Sequence, residues 1–407
     1  MFKRLVTYFG YSGISALLGL ASVMYLTRTL TPKDMGILGL FATMVFLLVP
    51  MLIFKCGELV GINKANFSDR DYIHFRNGLM SFSIVIFFIG LVFLVALSAL
   101  ITPSYISFVM ISVVISFVRV IDLIHRNELI QTGDAKIFGF FQLTTVILKF
   151  TVTVVAISFL FQSWEGRLVA VLVAETTIVM IRIKYFSNIT EKFVFFLDYD
   201  LIKSNVRYGA PLFIALGLSW IVFESDKLIV LNLFSMVDVG FYSVAYMLGS
   251  FYNVINEAVV QAIKPRVYSS LKQGVGLNLL NSYNRIYSVI SIALATIASY
   301  IFYQFSHLIL GDGYDQTKII TCIILYAFAF WGISRTSGIV IIYYKLNIIK
   351  VKVMFVAAIV NLTFSISTIP VFGLLAPALG TALSFLVMAV LFYIYSRNEL
   401  SKRGVVV

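Results

Sequence analysis

The sequence is poor in charge: only 12% of its 407 residues are Asp, Glu, Lys or Arg, whereas 60% are hydrophobic. Its mean hydropathy of +0.97 excludes an ordinary soluble domain. Three His and two Cys are too few for a convincing metal site. A phosphate-binding loop of the G-x-x-x-x-G-K-[ST] kind is also missing. We therefore expect neither an enzyme nor a metal or organic cofactor, and no energy from ATP on this chain.

Long apolar runs are what the sequence has in abundance. Crossing a bilayer takes about 20 apolar residues per helix, and we count twelve such runs. They lie roughly at 5–27, 36–58, 77–101, 106–126, 138–161, 167–187, 208–232, 240–263, 282–304, 317–344, 351–370 and 374–396. Helices are predicted because a backbone in lipid must satisfy its own hydrogen bonds, and the short alternating strands of a membrane barrel are not visible. The fold class is therefore all-α, a polytopic membrane protein with about 12 helices.

The net charge of +12 would also suit nucleic acid, but the distribution of the charges favours a membrane. Lys and Arg concentrate in every second loop, and the intervening loops hold only Arg28, Lys33, Arg167 and Lys318. This asymmetry predicts that both termini are cytoplasmic. It also predicts contact with anionic membrane lipids and no nucleic-acid partner.

The chain has an internal repeat. Sliding residues 25–42 by 204 positions places Asp34 on Asp238 and Gly36 on Gly240, and a weaker match at an offset of 212 places Lys149 opposite Asn361. Six runs per half means that both halves enter from the same side, so we expect a pseudo-two-fold axis along the membrane normal. The predicted division is an N-terminal lobe at 1–187, a cytoplasmic linker at 188–207 and a C-terminal lobe at 208–407.

The fifth run carries a polar stripe down an apolar helix. Gln142, Thr145, Lys149 and Thr153 share one face, and Lys149 is near mid-span, where a charge costs roughly 2.5–3.5 kcal/mol. We expect Lys149 to face a watery cavity or a partner, and Glu175 in the sixth run lies at a similar depth.

Further polar residues lie at bilayer depth. Arg119 is one turn from Asp122, so those two can pair locally. The remaining candidates are Glu224, Asp226, Lys227, Asn253, Glu257, Arg335 and Asn361. Hydrogen-bonding stripes suit a hydroxyl-rich ligand, and Arg and Lys suit phosphate. A sugar phosphate or similar polar anion, bound in a cavity between the lobes, is therefore predicted. The alternative is that polar stripes join helices to one another.

Two energy sources stay open at this point. One is a proton or sodium gradient, sensed by a buried acid such as Asp226 or Glu257. The other is downhill movement, in which consumption outside removes the cargo.

Residues 226–246 resemble the seventh-to-eighth helix signature of polysaccharide biosynthesis proteins, the O-antigen flippases of the multidrug/oligosaccharidyl-lipid/polysaccharide exporter superfamily. The matching positions are Asp226, Lys227, Gly240, Tyr242 and Tyr246. The opening stretch LTRTLTPKDMG and the later stretches around Ile369-Pro370, Phe372-Gly373 and 376–381 are similar to other parts of the family. The resemblance covers essentially the whole chain.

This resemblance implies a V-shaped pair of six-helix lobes working by alternating access in a bacterial inner membrane. It implies movement of undecaprenyl-diphosphate-linked oligosaccharide units, with a cationic lumen for the diphosphate and glycan. The lumen candidates are Lys149, Arg119, Lys227 and Arg335, with Arg119 and Arg335 inferred from their depth. Polysaccharide polymerase and chain-length proteins are candidate partners.

Rival functions remain open. An ion-coupled exporter of cationic drugs should have an acid-rich cavity, whereas six cations here balance six acids in the spans. An O-antigen polymerase, which is a transferase, should have a long outside loop with catalytic Arg residues, but the longest outside loop, near 306–316, is short. An importer of soluble substrates is a third option.

Overall fold

The computed structural model describes residues 2–101, 106–132, 135–187, 193–273 and 277–403. Within these ranges the chain is almost entirely helical and no strand occurs, so the predicted all-α class is confirmed. The helices are α1 (Phe2–Thr29), α2 (Pro32–Leu52), α3 (Gly57–Asn66), α4 (Asp69–Ile101), α5 (Ile106–Thr132), α6 (Ala135–Phe159), α7 (Trp164–Ser187), α8 (Tyr199–Leu233), α9 (Met236–Ser250), α10 (Tyr252–Lys272), α11 (Leu277–Ile309), α12 (Thr317–Ser337), α13 (Ile339–Tyr343), α14 (Asn347–Phe372) and α15 (Ala376–Lys402).

The helices fit a multi-pass membrane protein. In the part of the chain that the structure describes, eight segments are long and apolar enough to cross a bilayer, and the last of them, Asn347–Lys402, covers both α14 and α15. Each of the twelve predicted runs falls on helix. Three runs are interrupted: 36–58 is divided between α2 and α3 by the turn at 53–56, 240–263 is divided between α9 and α10 at Phe251, and 317–344 is divided between α12 and α13 at Gly338.

The chain divides into two compact units. The first comprises Met1–Ser22 and Leu40–Leu216, and the second comprises Val23–Gly39 and Gly217–Val407. The turn between α1 and α2, with the ends of both helices (Val23–Gly39), therefore belongs to the same unit as the second half of the chain. The lobe boundaries at 187 and 208 stay a prediction, and the compact units divide at other points.

In the first unit, the helix that begins with α2 is broken before α3. Phe54 and Lys55 have φ of 48° and 57°, a left-handed conformation that side chains disfavour. Helix α8 packs closely on this turn because Gly209 has no side chain: a Cβ there would lie 2.2 Å from the Phe54 carbonyl oxygen. The Cys56 thiol contacts the Asn205 carbonyl at 3.4 Å and strengthens the same contact. The local signals for this break are Pro50 one turn before it and Gly57 directly after it, although the apolar run continues on both sides.

In the second unit, the two copies of the repeat begin their second helix in the same way. Asp34 accepts hydrogen bonds from the Thr31 backbone N–H at 3.2 Å and hydroxyl at 2.5 Å, and its own N–H donates back to the Thr31 hydroxyl at 3.2 Å. Ser235 and Asp238 make the same three contacts at 3.1, 2.5 and 3.3 Å. Such a capping box satisfies backbone donors that a helix start leaves unpaired.

These two matched helix starts cross each other at a pair of glycines. A Cβ on Gly36 would lie 2.2 Å from the Met236 carbonyl oxygen, and a Cβ on Gly240 would lie 1.8 Å from the Pro32 carbonyl oxygen. Because 32 and 236 are also equivalent in the repeat, each copy presents the same surface to the other, as in an isologous interface. Glycine at both positions is what allows the backbones to approach.

Candidate functional site

The Glu175 carboxylate on α7 is the centre of a charged cluster in the first unit. Arg119 on α5 places Nε 3.0 Å from each carboxylate oxygen, and Lys149 on α6 places Nζ 2.5 Å from Oε1. The Glu175 side chain is only 5% exposed, whereas those of Arg119 and Lys149 are 34% and 29% exposed. The predicted partnership of Lys149 with Glu175 is therefore confirmed, and each cation keeps part of its surface accessible.

This cluster lines a cavity of about 270 Å³ in the first unit. Its lining residues are Val49, Arg119, Asp122, Leu123, Arg126, Thr145, Lys149, Glu175 and Ile178. One of the two acids on the wall, Asp122, is paired with the buried Arg182 behind it. Counting that pair, four basic side chains meet two acidic ones around the cavity, so the local charge is positive.

One sequence expectation needs correction here. Arg119 does not pair with Asp122 one turn away; it pairs with Glu175 across the helices, while Asp122 pairs with Arg182. Fifty-six residues separate Arg119 from Glu175, so helical spacing alone does not reveal their contact. Gln142 shares the polar stripe of Lys149, but it is not among the residues that line this cavity.

The C-terminal end of the polar stripe on α6 packs against α7. Thr153 is buried, donates its hydroxyl to the Lys149 carbonyl at 2.5 Å and accepts a hydrogen bond from Arg167. Arg167 was placed in an outside loop by the sequence, yet α7 begins earlier, at Trp164, and carries it into the unit. It is a further basic residue near the cluster that the sequence did not indicate.

The second unit contains a buried carboxylate network around Asp226 on α8. Its Oδ2 accepts hydrogen bonds from the Tyr246 hydroxyl at 2.6 Å and from the Thr381 hydroxyl. The Asn361 side chain links to Thr381 at 3.2 Å and to the Ser225 hydroxyl at 3.2 Å. These contacts join α8, α9, α14 and α15 at one fully buried acid.

One oxygen of this network, Asp226 Oδ1, has no hydrogen-bond partner within the described ranges. The hydroxyl of Ser365, which lies one turn beyond Asn361 on α14, has none either. Both residues are fully buried. A buried carboxylate oxygen without a donor is costly, so this network has capacity for one more positively charged or donating group.

The remaining predicted cations of the second unit each have their own acid. Lys227 is 5% exposed, places Nζ 2.5 Å from Glu224 and lies 5.2 Å from the centre of the Tyr246 ring. Arg335 makes a two-pronged pair with Glu257. Glu224 and Lys227 thus share one face of α8, whereas Asp226 points toward Tyr246 and Thr381.

Asn253, the last of the predicted polar residues, accepts a hydrogen bond from Asn256 at 3.2 Å. Asn256 is fully buried, donates to the Phe328 carbonyl at 2.9 Å and accepts from the Tyr287 hydroxyl at 2.5 Å. Gly332 allows this contact, because a Cβ there would lie 2.1 Å from the Asn256 side-chain oxygen.

Sequence reasoning missed the partners of Asp226 on α15. Thr381 is indicated there only as the end of a family stretch. The available signal was the internal repeat: Lys149 and Asn361 are equivalent at an offset of 212, and the structure places each of them in the main polar cluster of its unit.

A family model described as "Polysaccharide biosynthesis protein" matches residues 25–319. No curated protein matches the sequence. Among solved structures, an inward-facing multidrug resistance MATE family transporter of the MOP superfamily is similar, with 13% identity, 98% of each chain covered and a TM-score of 0.73. The lipid II flippase MurJ, in an inward closed conformation, has 14% identity and a TM-score of 0.71, covering 98% of this chain and 90% of its own. The MATE multidrug transporter DinF-BH has 14% identity and a TM-score of 0.69, with 99% and 95% covered.

Proposed function

The chain belongs to the polysaccharide biosynthesis protein family and has the fold of MOP-superfamily transporters, and on that premise we propose that it is a flippase rather than an enzyme. Its proposed cargo is an undecaprenyl-diphosphate-linked oligosaccharide, an O-antigen unit or a similar surface polysaccharide, moved across a bacterial inner membrane by alternating access. The polysaccharide description of the family and the lipid-linked cargo named for the MurJ structure support this class.

The observation that carries the proposal is the basic cavity around Glu175. A diphosphate is a compact anion that Arg binds through paired hydrogen bonds and Lys as a point charge. Glu175 holds Arg119 and Lys149 in place before cargo arrives, so the site is preorganised. An incoming diphosphate binds the accessible parts of Arg119 and Lys149 while Glu175 keeps its contacts with both. Binding of this kind leaves neither the buried acid nor the two cations unpaired.

The same charge disfavours the exporter of cationic drugs as a function. Four basic side chains against two acidic ones would repel a cationic cargo. We propose that Lys149 and Arg119 contact the phosphates and that the polyprenyl chain stays in lipid. Lys227 and Arg335 stay proposed lumen residues. Because Lys227 is paired with Glu224 and Arg335 with Glu257, each can bind cargo only when its ion pair opens.

The test is Lys149→Ala in cells that depend on this protein for surface glycan. We expect a sharp loss of surface polysaccharide at an unchanged amount of membrane-inserted protein, because one of two phosphate contacts is removed. Lys318→Ala is the matched control. Lys318 lies at the start of α12 and forms an ion pair with the exposed Asp315, which lies just before that helix. Normal surface glycan in the Lys149→Ala cells would remove this cavity from the transport pathway.

We also propose that Asp226 couples transport to a cation gradient. A proton or a sodium ion at Asp226 Oδ1 would neutralise the buried carboxylate at the oxygen that lacks a partner, and buried acids in membrane proteins are commonly proton or ion sites. In proteoliposomes, an imposed sodium or pH gradient should accelerate cargo flipping by the native protein and not by Asp226→Asn. The two gradients are applied separately to identify the ion. Equal acceleration of both proteins would exclude Asp226 as the coupling residue.

A further inference from the structure

The segment 193–199 leads into α8 and exposes an unusual number of apolar side chains. Phe193, Val194, Phe195 and Leu197 are between 43% and 61% exposed, and they lie almost consecutively in a stretch that belongs to no helix. A contiguous apolar stretch of this kind marks a contact with a membrane or another molecule.

The segment is held firmly against α4 through Phe196. The Phe196 ring stacks on His74 with centroids 4.6 Å apart, and its backbone N–H donates to the Ser81 hydroxyl at 3.2 Å. Gly78 on α4 also leaves room for Leu201 at the start of α8, since a Cβ there would lie 2.5 Å from Leu201 Cδ2. The neighbours of Phe196 are therefore presented outward in a fixed arrangement.

The end of the segment is fixed as well. Asp198 accepts hydrogen bonds from the backbone N–H groups of Asp200 at 2.9 Å and Leu201 at 3.2 Å, which caps the start of α8. His74 Nε2 lies 3.2 Å from the same carboxylate. The Leu201 N–H, together with His74, lowers the pKa of Asp198 below its ordinary value, so the cap stays charged at neutral pH.

The depth of this attachment follows from the length of α4. Ser81 lies 20 residues before Ile101, the last residue of α4, and at 1.5 Å per residue this is about 30 Å. That distance equals the thickness of the hydrocarbon core, about 30 Å. With Ile101 at one surface of the hydrocarbon core, the point of attachment at Ser81 would lie at the other surface, where acyl chains give way to headgroups.

Basic side chains follow the segment on α8. Lys203 and Arg207 are exposed, and Lys203 Nζ lies 6.0 Å from the centre of the Tyr199 ring. Apolar side chains beside Lys and Arg are typical of segments that lie in the membrane surface, where each basic residue gains from anionic lipid.

We propose that residues 193–199 form a surface anchor that inserts the side chains of Phe193, Val194, Phe195 and Leu197 among the lipids, with Lys203 and Arg207 on anionic headgroups. The leaflet is the one next to the basic loops that the sequence predicts to be cytoplasmic. The anchor goes beyond the proposed transport function and stands whether or not the cargo is a glycolipid. Its role is to fix the depth of α4 and α8 in the bilayer.

Nitroxide labels test the depth directly. Phe195→Cys and, as the matched control, Asp200→Cys are labelled in full-length protein carrying Cys322→Ala; Cys56 is fully buried. After reconstitution into phosphatidylcholine vesicles with anionic phosphatidylglycerol, collision rates with oxygen and with a water-soluble nickel chelate are measured. We expect a several-fold higher oxygen-to-nickel ratio at 195 than at 200. Equal ratios would place the segment in water, and low collision with both reagents at 195 would mean that protein covers it; either result overturns the proposal.

The contribution of the charges is measured separately. Omitting phosphatidylglycerol should reduce the depth at 195 in the native background and change it little in Lys203→Gln/Arg207→Gln. The same dependence on phosphatidylglycerol in both proteins would show that these two side chains do not bind the anionic headgroups.

Discussion

Replacing Glu175 by Gln should destabilise the first unit more than removing either of its basic partners. The Glu175 carboxylate is nearly buried and neutralises both Arg119 and Lys149. Without its charge, two cations stay close together in a partly buried site with no acid between them. Lys149→Met, in contrast, leaves the Arg119–Glu175 pair intact. The asymmetry between these two variants follows directly from the geometry of the cluster.

The size of the effect can be worked out from burial. Removing one member of a buried ion pair costs about 3–5 kcal/mol, but exposed pairs contribute only about 0–1 kcal/mol. Since about a third of the Arg119 and Lys149 side chains is exposed, we expect about 2–3 kcal/mol for Glu175→Gln. For a unit of this size, that corresponds to a Tm lower by about 4–12 °C.

Glu257→Gln is the matched control. It removes the same functional group from a two-pronged pair with Arg335, but Glu257 is 51% exposed and faces one cation. We expect a loss of at most about 1 kcal/mol, because water solvates Arg335 when the carboxylate charge is gone.

Thermal unfolding of purified protein in lipid nanodiscs measures these differences, with all variants at the same lipid composition. The double variant Glu175→Gln/Lys149→Met should recover part of the loss, since it removes one of the two opposed cations. Equal Tm values for Glu175→Gln and Glu257→Gln, or a further loss in the double variant, would refute the electrostatic reasoning.

Two other substitutions test the packing of the second unit. Gly240→Ala should lower the Tm by the equivalent of about 1–3 kcal/mol, because its Cβ would overlap the Pro32 carbonyl oxygen. Gly217→Ala is the control and should be neutral, since the space around Gly217 is open. Similar Tm values for the two variants would refute the close crossing. Tyr242→Phe should lower the free energy of unfolding by about 1–3 kcal/mol. The buried Tyr242 hydroxyl donates to the Leu374 carbonyl at 2.8 Å and accepts from the Ala378 N–H at 2.7 Å, and the variant loses both bonds. An unchanged Tm would show that water replaces those bonds.

The helical runs and the repeat could be predicted because they depend on local or periodic features. Apolar length identifies the membrane helices, and the matched spacing of Asp34 and Asp238 anticipates two equivalent helix starts. The partnership of Lys149 with Glu175 was also accessible, because similar depth and opposite charge in adjacent helices leave few other arrangements.

Other features depend on how helices rotate against one another, which periodicity does not fix. Arg119 lies one turn from Asp122 but pairs with Glu175, because the rotation of α5 turns the Arg119 side chain toward α7. The break at Phe54 and Lys55 arises from tertiary packing against Gly209. The contact of Asp226 with Thr381 likewise requires knowledge of which faces of α8 and α15 meet.

The glycine crossing has a consequence for how the two copies of the repeat can drift apart. When two identical copies cross each other, one substitution changes both sides of the crossing at once, so a larger side chain cannot be added on one side alone. Duplication separates the two sides and lets one grow as long as the other stays small. Gly39 and Ser243, equivalent at the same offset, show such a compromise: a Cβ on Gly39 would lie 1.7 Å from the Ser243 hydroxyl oxygen. Exchanging the two residues, Gly39→Ser with Ser243→Gly, should therefore be tolerated where Gly39→Ser alone is not.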